Sequence, residues 1–212
     1  MARRGDVLHT HILDVAKLVF LEHGYERTTM DAVAAEAGTS KRSLYAHFPT
    51  KAALFSGCVD RVHELFEGRL SVPSHYADDP VEAVVRYCAR FRQLLAYAPV
   101  LRTCRMGVAE AERLPDAAAG LYDTYVGTAA RELTTHLVER VGMLADEAPD
   151  LAARLLGATA LPFWARALFG LEELRDTMPA EAALADDVDL EALRPQVAAL
   201  LALAGVAQSS GR

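Results

Sequence analysis

Apolar residues recur along most of this chain with the spacing of a helix. Ile12, Val15, Ala16, Val19 and Phe20 fall at i, i+3, i+4, i+7 and i+8. They form one stripe and predict a helix from about Leu8 to His23. Gly24 follows where a left-handed cap is wanted. Thr28 or Thr29 can cap a second, short helix, with Asp31 in its first turn where the helix dipole favours an anion. That helix ends at Ala37-Gly38. Ser40 can cap a third helix, stopped after Phe48 by Pro49. Thr50 can cap a fourth, long one carrying Leu54, Phe55, Cys58, Val59, Val62, Leu65 and Phe66. After a loop from Ser71 to Pro80, helices are predicted at about 80–97, 99–112, 115–144, 149–174 and 189–206. The breaks fall at Pro99, Pro115, Pro149 and an acidic stretch from Met178 to Asp189. No run alternates in the manner of a strand. The predicted class is all-α, with a disordered tail from Ala207 to Arg212.

Composition narrows this without redirecting it. A chain of 212 residues, 52% hydrophobic and 24% charged, can bury an ordinary globular core. No apolar run approaches the ~18 residues of a membrane span. The N-terminus, broken by Asp14 and Lys17, does not read as a secretory signal, so a cytoplasmic protein is expected. Cys58, Cys88 and Cys104 are far apart and lack CxxC spacing, which argues for a reducing compartment and against a zinc cluster. Each reads as a small buried hydrophobe before it reads as a redox sensor. No metal site or cofactor is expected, because no His/Cys/Asp/Glu spacing suits one. The net charge of −7 disfavours a nucleic-acid partner only on average. All three lysines (Lys17, Lys41, Lys51) lie in the N-terminal segment, which carries a slight cationic excess, whereas the remainder is acidic. A local cationic face on an acidic body still suits phosphate binding.

The informative stretch runs from Thr28 to Lys51. Val33, Ala34 and Ala37 supply a small apolar contact side, and Gly38 supplies a turn residue that tolerates positive φ. Leu44 and Phe48, four apart, anchor the following helix inward. Its outward face is then Lys41, Arg42, Ser43, Tyr45, Ala46 and His47, rich in hydrogen-bond donors. Two short helices with a tight turn and such a face suit a helix-turn-helix, whose second helix enters a major groove. The competing reading is a pair of solvated helices in a bundle.

From Ile12 through Phe55 the sequence resembles the DNA-binding domain of the TetR family of transcriptional regulators. The resemblance rests on the first stripe with Phe20, then Gly24-Tyr25, Thr28-Thr29, Val33-Ala34, Ala37-Gly38-Thr39-Ser40, Leu44-Tyr45, His47-Phe48, Lys51 and Leu54-Phe55. A second segment, Ala109-Glu110-Ala111-Glu112-Arg113-Leu114-Pro115, is similar to one found in a subset of these regulators. The resemblance implies an N-terminal three-helix helix-turn-helix domain in residues 1–50. A larger helical effector-binding and dimerisation domain in residues 51–206 would follow. It implies that Lys41, Arg42 and Tyr45 face base edges, with Ser43 and His47 on phosphates and Ser40 at the start of the reading helix. Lys51 would clamp a phosphate with help from a helix N-terminus. Thr28 and Thr29 would touch the DNA backbone. Arg42 replaces the small residue many members carry, so it could read guanine or only bind phosphate. The Tyr45 ring could equally pack inward with its hydroxyl emerging.

The resemblance also implies a pocket for a small-molecule effector. Phe91, Leu95, Arg105, Met106, Tyr122, Tyr125 and Trp164 are candidate lining residues, each with plain packing as its alternative. Arg90, Thr128 and His136 are further polar candidates. The helices around Leu151–Leu171 and Leu190–Leu203 are apolar on more than one face, and a partner subunit is a natural cover. In the family the last two long helices form the dimer interface, which implies a palindromic operator of double-stranded DNA. The leading function is therefore a repressor released from its operator by an effector. An effector-independent regulator or an activator stays open. So does an all-helical carrier or enzyme, although no Ser/His/Asp or Cys/His arrangement, GxGxxG or P-loop supports catalysis.

Overall fold

A computed structural model describes residues 4–66, 68–177, 183–184 and 188–206. The tail expected to be disordered, residues 207–212, lies outside the described residues, as does most of the acidic stretch before Asp189. The helices are α1 (Arg4–Arg27), α2 (Met30–Glu36), α3 (Lys41–His47), α4 (Lys51–Phe66), α5 (Pro80–Leu95), α6 (Ala98–Ala109), α7 (Pro115–Tyr122), α8 (Thr128–His136), α9 (Ala148–Leu168) and α10 (Leu190–Leu203). Among the described residues there is no strand, only an isolated bridge between Tyr97 and Arg175. The predicted uninterrupted helix at 115–144 differs in detail. Asp123–Gly127 and Leu137–Val141 are π turns, and the run ends at Gly142 in a left-handed conformation, φ 83°. Single π turns of this kind come from one extra residue in a helical stretch, which a 3.6-residue periodicity does not reveal.

The residues pack as two compact units, Met1–Glu67 with Arg102–Thr124, and Gly68–Leu101 with Tyr125–Arg212. In the first, α1 packs on α2 and α4, α2 on α3, and α4 on α7. The predicted stripe is the core: Ile12, Ala16, Val19 and Phe20 are buried with Val33, Ala34, Leu44, Phe48, Leu54 and Phe55. Burying each large apolar side chain stabilises the fold by about 1.5–3 kcal/mol. Phe20, Tyr25 and Phe55 meet ring against ring, with centroids 5.2–5.9 Å apart. Glycines allow close approach here. A Cβ at Gly57 would sit 3.0 Å from Leu13 and 3.1 Å from Phe48, and one at Gly107 would sit 2.9 Å from Leu121.

In the second unit α5 lies against α9 and α10, and α8 against α9. Tyr87, fully buried, donates its hydroxyl to the Ala129 carbonyl at 2.9 Å. Arg194 of α10 pairs with Glu82 of α5 at 2.8 Å. One side of α9 is core, through Leu151, Leu155 and Leu156. Leu161, Phe169, Leu171 and, at the end of α10, Leu203 remain 52–84% exposed.

Candidate DNA-binding surface

Helices α2, α3 and α4 each start at a capping hydroxyl, because the first backbone N–H groups of a helix have no partner within it. Thr29 Oγ1 accepts from the Ala32 amide (3.1 Å), Ser40 Oγ from Ser43 (3.1 Å) and Thr50 Oγ1 from Ala53 (3.0 Å). Between α2 and α3 the chain turns at Gly38, whose φ of 60° suits a residue without Cβ. The amides of Gly38 and Thr39 close the turn on the carbonyls of Ala35 and Ala34. His11 of α1 reaches the Ala37 carbonyl with Nε2 at 3.2 Å, pinning the same turn from below. Leu44 and Phe48 are buried, so α3 is held with one face inward.

What remains outward is Lys41, Arg42, Tyr45 and Ala46, all exposed, with Ser43 and His47 half-buried. Tyr45 is 47% exposed, which favours the outward reading of its ring. Lys41 Nζ donates to Asp31 Oδ2 of α2 at 2.5 Å. The His47 ring lies 5.6 Å from that of His9 in α1, which the sequence offered no means of pairing with it.

Thr28 and Lys51 sit differently from the expectation. Thr28 is buried, and its hydroxyl donates to the Gly24 carbonyl at 2.8 Å, where α1 breaks at φ 75°. Lys51 Nζ donates to the carbonyls of Tyr25 (2.8 Å), Thr28 (3.0 Å) and Glu26 (3.2 Å), and lies 4.4 Å from the Tyr25 ring centroid. Backbone carbonyls at a broken helix end have no intrahelical donors, and a flexible ammonium with three N–H groups satisfies them. Both side chains therefore serve the α1–α2 junction.

Residues 12–58 match the model for bacterial regulatory proteins of the tetR family. The nucleoid occlusion factor SlmA of Vibrio vulnificus (strain YJ016) is 30% identical over 164 residues, covering 73% of this chain and 79% of that protein. The chain belongs to the TetR family. The SlmA of Vibrio cholerae serotype O1 (strain ATCC 39315 / El Tor Inaba N16961) is also 30% identical, over 163 residues, with the same coverage. A TetR-family transcriptional regulator from Mesorhizobium loti MAFF303099 shares the fold at a TM-score of 0.73 and 20% identity, covering 95% of this chain and 98% of its own. The flavonoid-responsive regulator FrrA does so at 0.70 and 24%, covering 94% and 95%. This TetR-family member is a DNA-binding transcriptional regulator, and regulators of the family bind DNA and dimerise.

The effector candidates divide between the two units. Phe91 and Leu95, a turn apart on α5, are buried in the second unit with Tyr125, and Trp164 is half-buried there. The Trp164 indole nitrogen is buried with no hydrogen-bond partner. Arg105, Met106 and Tyr122 belong to the first unit. There Met106 lines an apolar crevice with Phe20, Phe55, Val62 and Leu121, while Arg105 is exposed and Tyr122 is 63% exposed. His136 is occupied structurally, its Nε2 3.0 Å from the Pro80 carbonyl. Arg90, fully buried, donates to the Arg69 carbonyl at 2.9 and 3.1 Å. Among the described residues no three His, Cys, Asp or Glu side chains converge to hold a metal ion, and no helix is long and apolar enough to cross a membrane.

Proposed function

We propose that this TetR-family regulator is a repressor that binds a palindromic operator as a homodimer and is released by a small-molecule effector. Residues 1–50 act as the reading head and residues 51–206 as the sensing and dimerising body. The observation that carries the DNA-binding part is the α3 face, where Lys41, Arg42 and Tyr45 stand exposed on a helix anchored by Leu44 and Phe48. In this reading Lys41, Arg42 and Tyr45 reach base edges, and Thr29, Ser40, Ser43 and His47 contact phosphates. Thr28 and Lys51 contribute by holding the junction behind α2, which leaves the backbone amides at the α4 N-terminus for a phosphate.

Dimerisation is supported by the apolar residues that α9 and α10 leave in solvent, Leu161, Phe169 and Leu203 among them. A two-fold dimer presents two reading heads to half-sites about one helical turn, or a multiple of it, apart. Effector binding is supported by the unpartnered indole N–H of Trp164, a donor that a ligand acceptor would satisfy. Phe91, Leu95 and Tyr125 would line that site. The place of action is the cytoplasm, with the nucleoid.

The test is fluorescence anisotropy of the protein with fragments of its own upstream region across a salt series. Tight, salt-steep and sequence-selective binding supports the proposal and provides the assay for release by candidate effectors. Binding that is weak, flat in salt and indifferent to sequence overturns it. A second role, in nucleoid occlusion, is favoured by the SlmA relatives. Occupied chromosomal sites whose neighbouring transcripts do not change on deletion of the gene would support that role.

A further inference from the structure

The segment Ala109–Pro115 carries no residue of the reading face, yet it is built onto the junction that holds that face. After α6 ends at Ala109, the amides of Arg113 and Leu114 return to the Glu110 carbonyl at 3.0 and 2.8 Å, and Pro115 opens α7. That turn directs the Arg113 guanidinium onto the end of α1. Its Nη1 contacts Glu26 Oε1 and lies 3.3 Å from Glu110 Oε2, and its Cζ lies 5.9 Å from the Tyr25 ring centroid. Glu110 is buried, so its carboxylate depends on this cation more than an exposed acid would. Tyr25 is buried as well, and Lys51 from α4 lies over the same ring.

The backbone from Gly24 to Thr28 is thus held twice, by Lys51 on its carbonyls and by Arg113 on the side chains of Tyr25 and Glu26. It leads directly into Thr29, the N-cap of α2.

We propose that Glu110 and Arg113 are positioning residues for operator binding. They form a latch that fixes the α1–α2 junction, and with it the helix-turn-helix, from the α6–α7 turn. The proposal rests on the DNA-binding reading above and names a point at which a displacement of α6 would reach the reading head. The latch is a discrete contact that is either closed or broken, the kind of element through which coupling between sites can act.

The experiment compares full-length wild type with R113A, R113K, E26Q and the double variant R113A/E26Q. Two quantities are read: amide hydrogen exchange over residues 24–34, and operator affinity across a salt series. The latch predicts faster exchange over 24–34 in R113A and E26Q. It predicts operator affinity about 2- to 30-fold weaker with an unchanged salt slope, the size expected of residues that act through another element. R113K should restore part of both, and the double variant should be no worse than R113A alone. Exchange and affinity unchanged in R113A and E26Q would overturn the proposal. A salt slope lowered by about one would overturn it too, because Arg113 would then be touching a phosphate, as would additive effects of the two substitutions. If wild type shows no salt-steep DNA binding, the DNA-binding reading fails, and the exchange data still decide whether the latch exists. E26Q alters an exposed side chain, so it folds even if R113A does not.

Discussion

Lys41 at the start of the reading helix and Asp31 in the first turn of α2 form an ion pair across the helix-turn-helix, with ammonium and carboxylate 2.5 Å apart and both side chains more than half exposed. An exposed pair of this kind is worth little in water, about 0–1 kcal/mol. The ammonium can therefore exchange the carboxylate for a phosphate or a base edge on docking, at small cost. Asp31 meanwhile places a negative charge beside the cations that the proposal puts on DNA.

D31N should consequently raise DNA affinity, by up to about fivefold, the size of a surface pair. K41A should lower it and relax sequence selectivity, as the loss of a base contact does. Anisotropy titrations of both variants across a salt series check this. Weaker binding by D31N would mean that the pair sets the geometry of the head rather than competing with DNA.

Lys51 should behave in the opposite way. K51M leaves three backbone carbonyls without their donor, and hydrogen bonds to a charged group are worth about 1.5–3 kcal/mol. Urea unfolding should show a loss of that size, with the salt slope of DNA binding retained. An unchanged midpoint with a slope lower by about one would put the ammonium on a phosphate.

Stability should fall in mild acid because of His136. Burial pushes its pKa down, the Pro80 carbonyl raises it and Arg140 lowers it, with a net shift downward. A histidine whose folded pKa lies below its unfolded value of about 6.5 stays neutral when folded and takes up a proton more readily when unfolded. Its contribution is therefore complete above pH ~6.5 and is lost as pH falls below it. Denaturant midpoints of wild type and H136N between pH 5 and 8 check this. The slope below pH ~6.5 should be shallower in H136N, and parallel curves would count against it.

Oxidants should leave DNA binding alone. Cys58, Cys88 and Cys104 are all buried, and burial pushes each thiol up to about 12, so almost no thiolate exists at neutral pH. A thiol-reactive chromophore should react with native protein far more slowly than with protein unfolded in urea. Rapid reaction of one thiol in the native state would reopen a redox-sensing role.

Local chemistry made much of the head legible without coordinates. The stripe from Ile12 to Phe20, the capping hydroxyls of Thr29, Ser40 and Thr50, Gly38 and the Leu44–Phe48 anchor act over three to eight residues. Their consequences follow from helical periodicity and from the unpaired amides at helix starts. Where α1 breaks was equally visible, because Gly24 is needed at positive φ. The identity of the outward face of α3 followed from which residues had to point in.

What only the tertiary structure decided depends on partners far apart in sequence. Lys51 reads as a phosphate clamp until the carbonyls of Tyr25, Glu26 and Thr28 are brought to it across more than twenty residues. Arg113 stands in the sequence only as one residue of the Ala109–Pro115 segment until the turn after α6 delivers it to Glu26, eighty-seven positions away. The two π turns, and the division of the effector candidates between two packed units, have no local signature either. Hydrophobic period records which side of a helix is buried. It carries no information about which neighbour buries it, and a charged side chain takes its role from that neighbour.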